Sequence, residues 1–422
     1  MSDITVLPVT IEHHREPIGI GDRRPRLSWV VRTDLTNWRQ SGYELEIEPE
    51  AGPLFSSGRV DSTDSILVPW DAPDLASRDR RSVRVRVWGT GTTEPSAWSE
   101  DVVVEAGLLE PGDWSAALIQ PVLPVPGTGG EPAALLRREF VIDRPIARAR
   151  LYATAHGIYE AELNGAVVGD QVLAPGWTSY HRRLRYQTHD VTSLLQEGIN
   201  AIGVQLADGW FRGYLGFGGK RNVYGDRTAA FLQLEIDHTD GSRTTVSTDG
   251  SWRSSLVPLT RADIYNGETF DTRSEQKGWS TAGFDDLTWV PVDIGTLDTT
   301  ALVPPTGPPV RRIQTKPVLE ISTSPSGKTL LDFGQNLVGW LRLRLPDAPA
   351  CTEITIRHAE VLENGELGTR PLRKAAQTDV VILDGNNSDG ASPRTYEPRF
   401  TFHGFRYAEI TGWPGELTAA DL

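Results

Sequence analysis

The chain has 422 residues, 38% hydrophobic and 23% charged, enough for two to four domains at about 150 residues each. Lys and Arg total 42 against 56 Asp and Glu, a formal charge of −14, and such a field repels nucleic-acid phosphates rather than collecting them. No apolar stretch approaches the roughly 20 residues a membrane helix needs, so neither nucleic acid nor membrane is an expected partner. One cysteine, Cys351, allows no intrachain disulfide, and the opening MSDITVLPVT has neither the basic segment nor the apolar core of a secretory signal. A reducing cytoplasm is the expected location.

In chain order, short runs alternate apolar with polar residues between glycines and prolines, the period-two pattern of strands buried on one face. Tyr43–Glu48 (YELEIE) and Ser82–Trp88 (SVRVRVW) lie in a first segment, residues 8–105, with tryptophans at Trp29, Trp70, Trp88 and Trp98 and no cysteine. Its size and spacing predict a fibronectin type III-like or immunoglobulin-like sandwich. Two Pro/Gly-rich stretches, Gln120–Pro132 and Leu302–Pro309, read as domain edges or ordered loops. Between them, a second segment over 112–304 carries the strands Ala149–Ala155 and Phe231–Asp237. Asp190–Asn200 reads as an Asp-capped helical turn ending at Gly198, followed by the strand Ala201–Leu206. One turn bridging two strands suits a jelly roll. A third segment, 310–415, contains Leu341–Leu345 (LRLRL) and reads as a further β-sandwich. The predicted class is all-β, three consecutive β-sandwiches, with no run of apolar residues at i, i+3, i+4 and i+7 long enough for a helical barrel.

Several motifs that resemble chemistry have a plainer reading. Asp332-Phe333-Gly334 spells a kinase triplet but lacks every companion motif, and reads as a turn at a strand end. Gly213–Gly219 neither follows a parallel strand nor opens a helix, so it reads as a loop rather than a phosphate cradle. Ser56 and Ser57 form no nucleophile elbow. The eight histidines never fall four apart on a helix, and one cysteine builds no structural zinc site. Carboxylates cluster at Asp263, Glu268 and Asp271 beside Arg273, at Asp285 and Asp286, and at Glu360, Glu363 and Glu366. Glycoside hydrolysis needs two carboxylates facing a sugar, but spacing alone does not separate such a pair from solvated loop charges.

Sugar recognition has better ingredients, because carbohydrate sites set aromatic faces against the apolar side of a pyranose and short polar groups against its hydroxyls. Asn164–Tyr180 supplies Asp170, Gln171 and Trp177, and Asp208–Asp226 supplies Trp210, Asn222, Tyr224 and Asp226. The competing reading has the tryptophans in the core and the Asp and Asn side chains in turns. Oxygen ligands from such loops also suit calcium, although no DxDxDG run is present.

A set of motifs in one order then resembles a known family: PRLSWVV, SGRVDS, SRDRRSVRVRVWG with SAWS, ARLYATAHGIYEAELNG, LADGWFRG, DIYNGETFDTR, DFGQNLVGWLRLRL, IRHAEVLENGEL and RFTFHGFRYAEITGWPGEL. Together they are similar to the N-terminal half of bacterial α-L-rhamnosidases of glycoside hydrolase family 78, over residues 8 to 415. The resemblance implies a fibronectin-like domain, a jelly roll related to rhamnose-binding modules and a concanavalin-like β-sandwich. An (α/α)6 barrel carrying the inverting acid and base would follow beyond Leu422. No catalytic residue is then expected in this chain, and the barrel and L-rhamnose glycosides are its implied partners. Some relatives bind L-rhamnose through calcium, which implies Asp170 and Asn222 as metal ligands, with Gln171 standing where those relatives carry Asn.

Two functions follow as expectations: the non-catalytic part of an α-L-rhamnosidase, or a standalone lectin-like carbohydrate-binding protein. No cofactor is required by either, calcium remains open, and sheet faces left uncovered leave association into a homodimer open.

Overall fold

A computed structural model describes residues 4–14, 16–122, 132–216, 219–385 and 394–422. Residues 123–131 of the first Pro/Gly-rich stretch and Phe217 and Gly218 of the glycine-rich loop lie outside the described residues. The chain is all-β and divides into two compact units. One gathers residues 1–115, 185–189 and 298–309, and the other 116–184, 190–297 and 310–422. No helix among the described residues is long and apolar enough to cross a membrane.

The first unit is built on a five-stranded sheet in the order Ile18–Ile20, Val102–Ala106, Arg80–Gly89, Gln40–Pro49, Phe55–Ser56. Alternation works here as predicted: Val83, Val85 and Val87 are buried while Arg84 and Arg86 reach the other face. That outer face carries a ladder of stacked groups. Arg59 and Arg86 lie over Trp88, and Arg86 and Arg84 over Trp98, with Glu44 and Glu46 closing the ion pairs. The backbone beside it is completed by hydroxyls, Ser99 Oγ accepting from Val85 N and Ser96 Oγ from Val87 N.

In the second unit, two sheets enclose the jelly-roll core. One contains Ile146–His156 against Ala229–His238, and register sets Leu151 opposite Leu234 and Ala153 opposite Leu232, all in one core cluster. Along 149–155 both faces are buried, Arg150, Tyr152 and Thr154 included. The one-face-wet pattern therefore fails at this strand, whose sequence alternates although its surroundings do not. The other sheet runs Ala166–Val167, Ile158–Leu163, Gly198–Ala207, Ala134–Ile142, Arg253–Leu256, Val290–Pro291. The predicted turn after Asp190 is a single 3-10 turn, Thr192–Leu194, with Asp190 Oδ1 accepting from Thr192 N at 3.0 Å. Gly198 opens the next strand rather than closing the turn.

A third sheet of seven strands runs Leu259–Asp263, Gly267–Asp271, Thr378–Ile382, Glu353–Ala359, His403–Thr411, Thr329–Gly339, Glu320–Thr323. It thus recruits a hairpin from the later part of the 112–304 stretch. Gly267 makes this docking feasible, since with φ +90° it approaches Thr378 so closely that a Cβ would sit 2.2 Å from the carbonyl oxygen. The Asp332-Phe333-Gly334 triplet is a bulge inside Thr329–Gly339, not a strand end. Asp332 Oδ1 takes the Gly334 N–H at 2.7 Å and bends the chain away from its partner. In LRLRL only Leu343–Arg344 forms a strand, although all three leucines are buried.

Candidate functional site

The loops at one turn of the jelly roll carry a chain of aromatic rings that begins in the core and ends in water. It starts where the strand Gly198–Ala207 closes on Asp208 and the one-turn helix Gly209–Arg212. Gly209 has φ +53°, and a Cβ there would lie 2.9 Å from that of Ile158, so the turn takes glycine alone. Asp208 is 1% exposed and bonds Arg212 Nε at 2.5 Å and also Arg221. Burial pushes its carboxyl upward against the pull of those two guanidiniums. The pair fixes the helix and the following loop, and so the ring of Phe211.

Phe211 stacks on His156 at 4.5 Å, and burial lowers the pKa of that imidazole. Tyr180 meets Phe211 edge-on at 5.4 Å and Tyr224 at 4.9 Å. Gly225 leaves the space, since a Cβ there would lie 2.5 Å from the Phe211 ring. Tyr180 Oη donates to Gly176 O at 3.0 Å, which ties down the turn bearing Trp177. At the surface Trp177 Nε1 donates to Tyr224 Oη at 3.2 Å, and His181 lies 5.2 Å from the Tyr224 ring. Trp177 is 51% exposed. A half-exposed indole locked by a hydrogen bond and backed by buried rings offers a rigid apolar face with polar edges, the surface a pyranose stacks on.

The other predicted sugar residues stand elsewhere. Trp210 is half-buried against Phe402 at 6.4 Å, as part of the core. Asn222 has φ +58° and donates its backbone N–H to Arg212 O, so it acts as a turn residue. Gln171 forms a backbone bridge with Arg311, and Asp170 Oδ1 accepts from Arg311 Nε at 2.7 Å. These residues do not fit calcium as they stand: the Asp170 carboxylate is engaged by the Arg311 guanidinium, which a divalent ion would have to displace, and Asn222 serves its own turn.

The third sheet brings together His358, Asp379 and His403, all fully buried. This cluster was invisible in the sequence because its members come from three strands. His403 Nε2 and Asp379 Oδ2 are 3.0 Å apart, and His358 Nδ1 faces Gln377 O at 3.1 Å. The rings stack at 4.1 Å and 25°, so their in-plane lone pairs do not converge on one point and the triad does not fit a metal ion.

Neighbouring Glu268 is 0% exposed and accepts from Tyr396 Oη, Arg399 N and Phe400 N. Burial, reinforced by the Asp379 charge, pushes its pKa up to about 8. Asp263 is turned inward onto the backbone of Tyr214, Tyr265 and Asn266. Asp271 is held by Arg273, which keeps its carboxyl below the usual range. All three carboxylates of this hairpin are thus buried and engaged by groups of the protein itself. Asp286 pairs with Arg137, Glu363 with Arg370, and Glu366 with Ser326.

The sequence reading singled out Trp177 and Tyr224 but not Tyr180, His181, Phe211 and His156, which the structure places beside them. The available signal was aromatic density in GWTSYH and DGWFRGY, since residues from separate loops share no periodicity.

Three family descriptions match consecutive parts of the chain: the Rha78A-like N-terminal immunoglobulin domain over residues 6–110, the α-L-rhamnosidase N-terminal domain over 144–314, and the bacterial α-L-rhamnosidase concanavalin-like domain over 322–422. An α-L-rhamnosidase of Streptomyces avermitilis is 41% identical across 100% of this chain and 57% of its own length. One from Alteromonas sp. is 32% identical over 94% of this chain and 44% of its own length. Among solved structures, an α-L-rhamnosidase from Aspergillus terreus superposes with TM-score 0.94 at 42% identity, covering 99% of this chain and 48% of that one. The Streptomyces avermitilis α-L-rhamnosidase complexed with L-rhamnose superposes with TM-score 0.89 at 28% identity, covering 99% and 57%. The chain spans about half the length of the relatives it matches. With three domain descriptions matched in order, the chain corresponds to an N-terminal portion of an α-L-rhamnosidase, made of the immunoglobulin, N-terminal and concanavalin-like domains.

Proposed function

We propose that this chain is the sugar-recognising, non-catalytic portion of a protein that hydrolyses terminal α-L-rhamnose by single displacement. The observation that carries the first half is the Trp177 and Tyr224 platform. The non-catalytic assignment is supported by the burial of Glu268 and the pairing of Asp271 with Arg273, and the rhamnoside reading by the match to α-L-rhamnosidase domains. In this reading the jelly roll holds a rhamnose-type ring on Trp177 without calcium. The exposed Ile313, Leu319 and Val338 support a contact between the third sandwich and the remainder of a longer protein. The lone cysteine agrees with a reducing cytoplasm.

Purified as 422 residues, the chain should leave p-nitrophenyl α-L-rhamnoside intact. Hydrolysis at a rate comparable with longer relatives would overturn the reading. Calorimetric titration with methyl α-L-rhamnoside should show binding that Trp177→Ala weakens at least tenfold. Binding unaffected by that change would move the sugar elsewhere.

A further inference from the structure

The turn that carries Trp177 continues through His181, Arg182 and Arg183, and it is tightly made. Arg182 N and Arg183 N both donate to Ser179 O, at 2.8 and 3.1 Å, and Thr178 Oγ1 donates to Arg183 O at 2.8 Å. His181, Arg182 and Arg183 are all exposed. Among the described residues neither arginine forms an ion pair or a side-chain hydrogen bond, although the chain carries 56 acidic residues for 42 Lys and Arg. Many of the other arginines are matched to acids, including Arg212 and Arg221 on Asp208 and Arg311 on Asp170. Two adjacent guanidiniums left without an acid, one turn from a half-exposed indole, place positive charge beside a pyranose platform in a molecule whose overall field is negative.

We infer that the Trp177 platform, with Arg182 and Arg183, binds an acidic saccharide: a neutral deoxy-sugar ring on the indole, joined to a uronic acid residue whose carboxylate meets the guanidiniums. This rests on the sugar-platform reading above and names the ligand class of that site. The chemistry selects a carboxylate because a guanidinium presents two parallel N–H donors that match its planar fork. Rhamnose itself has no charge, so the acid belongs to the neighbouring unit of the chain. His181, exposed and set against Tyr224, supplies a further ring nitrogen at the edge of the platform.

The test is calorimetric titration of the 422-residue chain with two disaccharides, α-L-rhamnosyl-glucuronic acid and its neutral counterpart α-L-rhamnosyl-glucose. The acidic disaccharide should bind at least tenfold more tightly, and a tenfold rise in ionic strength should remove most of that advantage. The double variant Arg182→Ala/Arg183→Ala should equalise the two ligands, whereas Trp177→Ala should weaken both. All three positions are solvent-facing, and an unchanged urea midpoint confirms that each variant is folded. Equal binding of the two disaccharides by the wild type overturns the acidic preference while leaving the platform reading intact. Absence of binding by either overturns both.

Discussion

His403 Nε2 and Asp379 Oδ2 lie 3.0 Å apart at a point where neither side chain meets water. The same carboxylate takes the Glu268 N–H at 3.1 Å and so ties the recruited hairpin to the seven-stranded sheet. Removing it strands an imidazole N–H and a backbone N–H in the core. Breaking a buried pair from one side costs about 3–5 kcal/mol. Asp379→Ala should lose stability of that order in urea unfolding, and Asp379→Asn, which keeps an acceptor oxygen, should lose less.

The pH dependence of folding should be a plateau with two edges. His358 is held neutral, its pKa lowered to about 3 first by burial and then by the adjacent His403. Unfolding restores it to 6.5, so the unfolded chain binds the extra proton between pH 6.5 and 3. That contribution is present above 6.5 and is lost as pH falls through the window. Glu268, raised from 4.5 to about 8, has the opposite sign, favouring the fold below 4.5 and losing ground as pH rises to 8. The two cancel between 4.5 and 6.5, leaving slopes of at most about 1.4 kcal/mol per pH unit outside. Urea midpoints across pH should show both edges, with His358→Gln flattening the acid one and Glu268→Gln the alkaline one.

Period-two alternation located the strands around Val83–Val87, Leu151 and Leu234, because a strand's own residues record which face is apolar. It could not report that Tyr152 and Thr154 are also buried, since what covers a sheet's second face comes from elsewhere in the chain. The site was half legible for a related reason. Trp177 and Tyr224 are the residue types sugars stack on, whereas Phe211 and His156 acquire their role only through contact across loops. Asp170 and Asn222, offered as sugar-site residues by their types and as calcium ligands by resemblance, are assigned by local geometry to an ion pair and a left-handed turn.

Gly267→Ala should separate the hairpin from the sheet. Besides adopting φ +90°, a methyl group would stand 2.6 Å from Asp379 Oδ1 as well as against the Thr378 carbonyl. Left-handed strain alone costs on the order of 1–3 kcal/mol, and the clash adds to it. Hydrogen exchange should then show faster exchange at Glu268 and Phe270 than at Ile356, whose strand is paired on both sides.

Two guanidiniums lie over the Trp98 ring, Arg84 at 4.9 Å and Arg86 at 4.5 Å from its centre. Each contact is worth about 0.5–1 kcal/mol when partly exposed. Trp98→Ala should lower stability by about 1–2 kcal/mol plus the lost apolar cover, read as a fall in the thermal midpoint of the first unit. Trp98→Phe, which keeps a weaker π face, should recover part of the loss.

Calcium should leave the molecule unmoved. A calcium ion wants six to eight oxygens, and at Asp170 it would have to displace Arg311, which is 21% exposed and already bonded to that carboxylate at 2.7 Å. The Asp170 side chain is 67% exposed, so its pairing energy is small, about 0–1 kcal/mol. Asp170→Asn should therefore shift stability by no more than that. Adding calcium or EDTA should shift the thermal midpoint of neither protein. A calcium-dependent rise in the wild type that the variant lacks would show that Arg311 yields its place to the ion, and would restore Asp170 as a ligand.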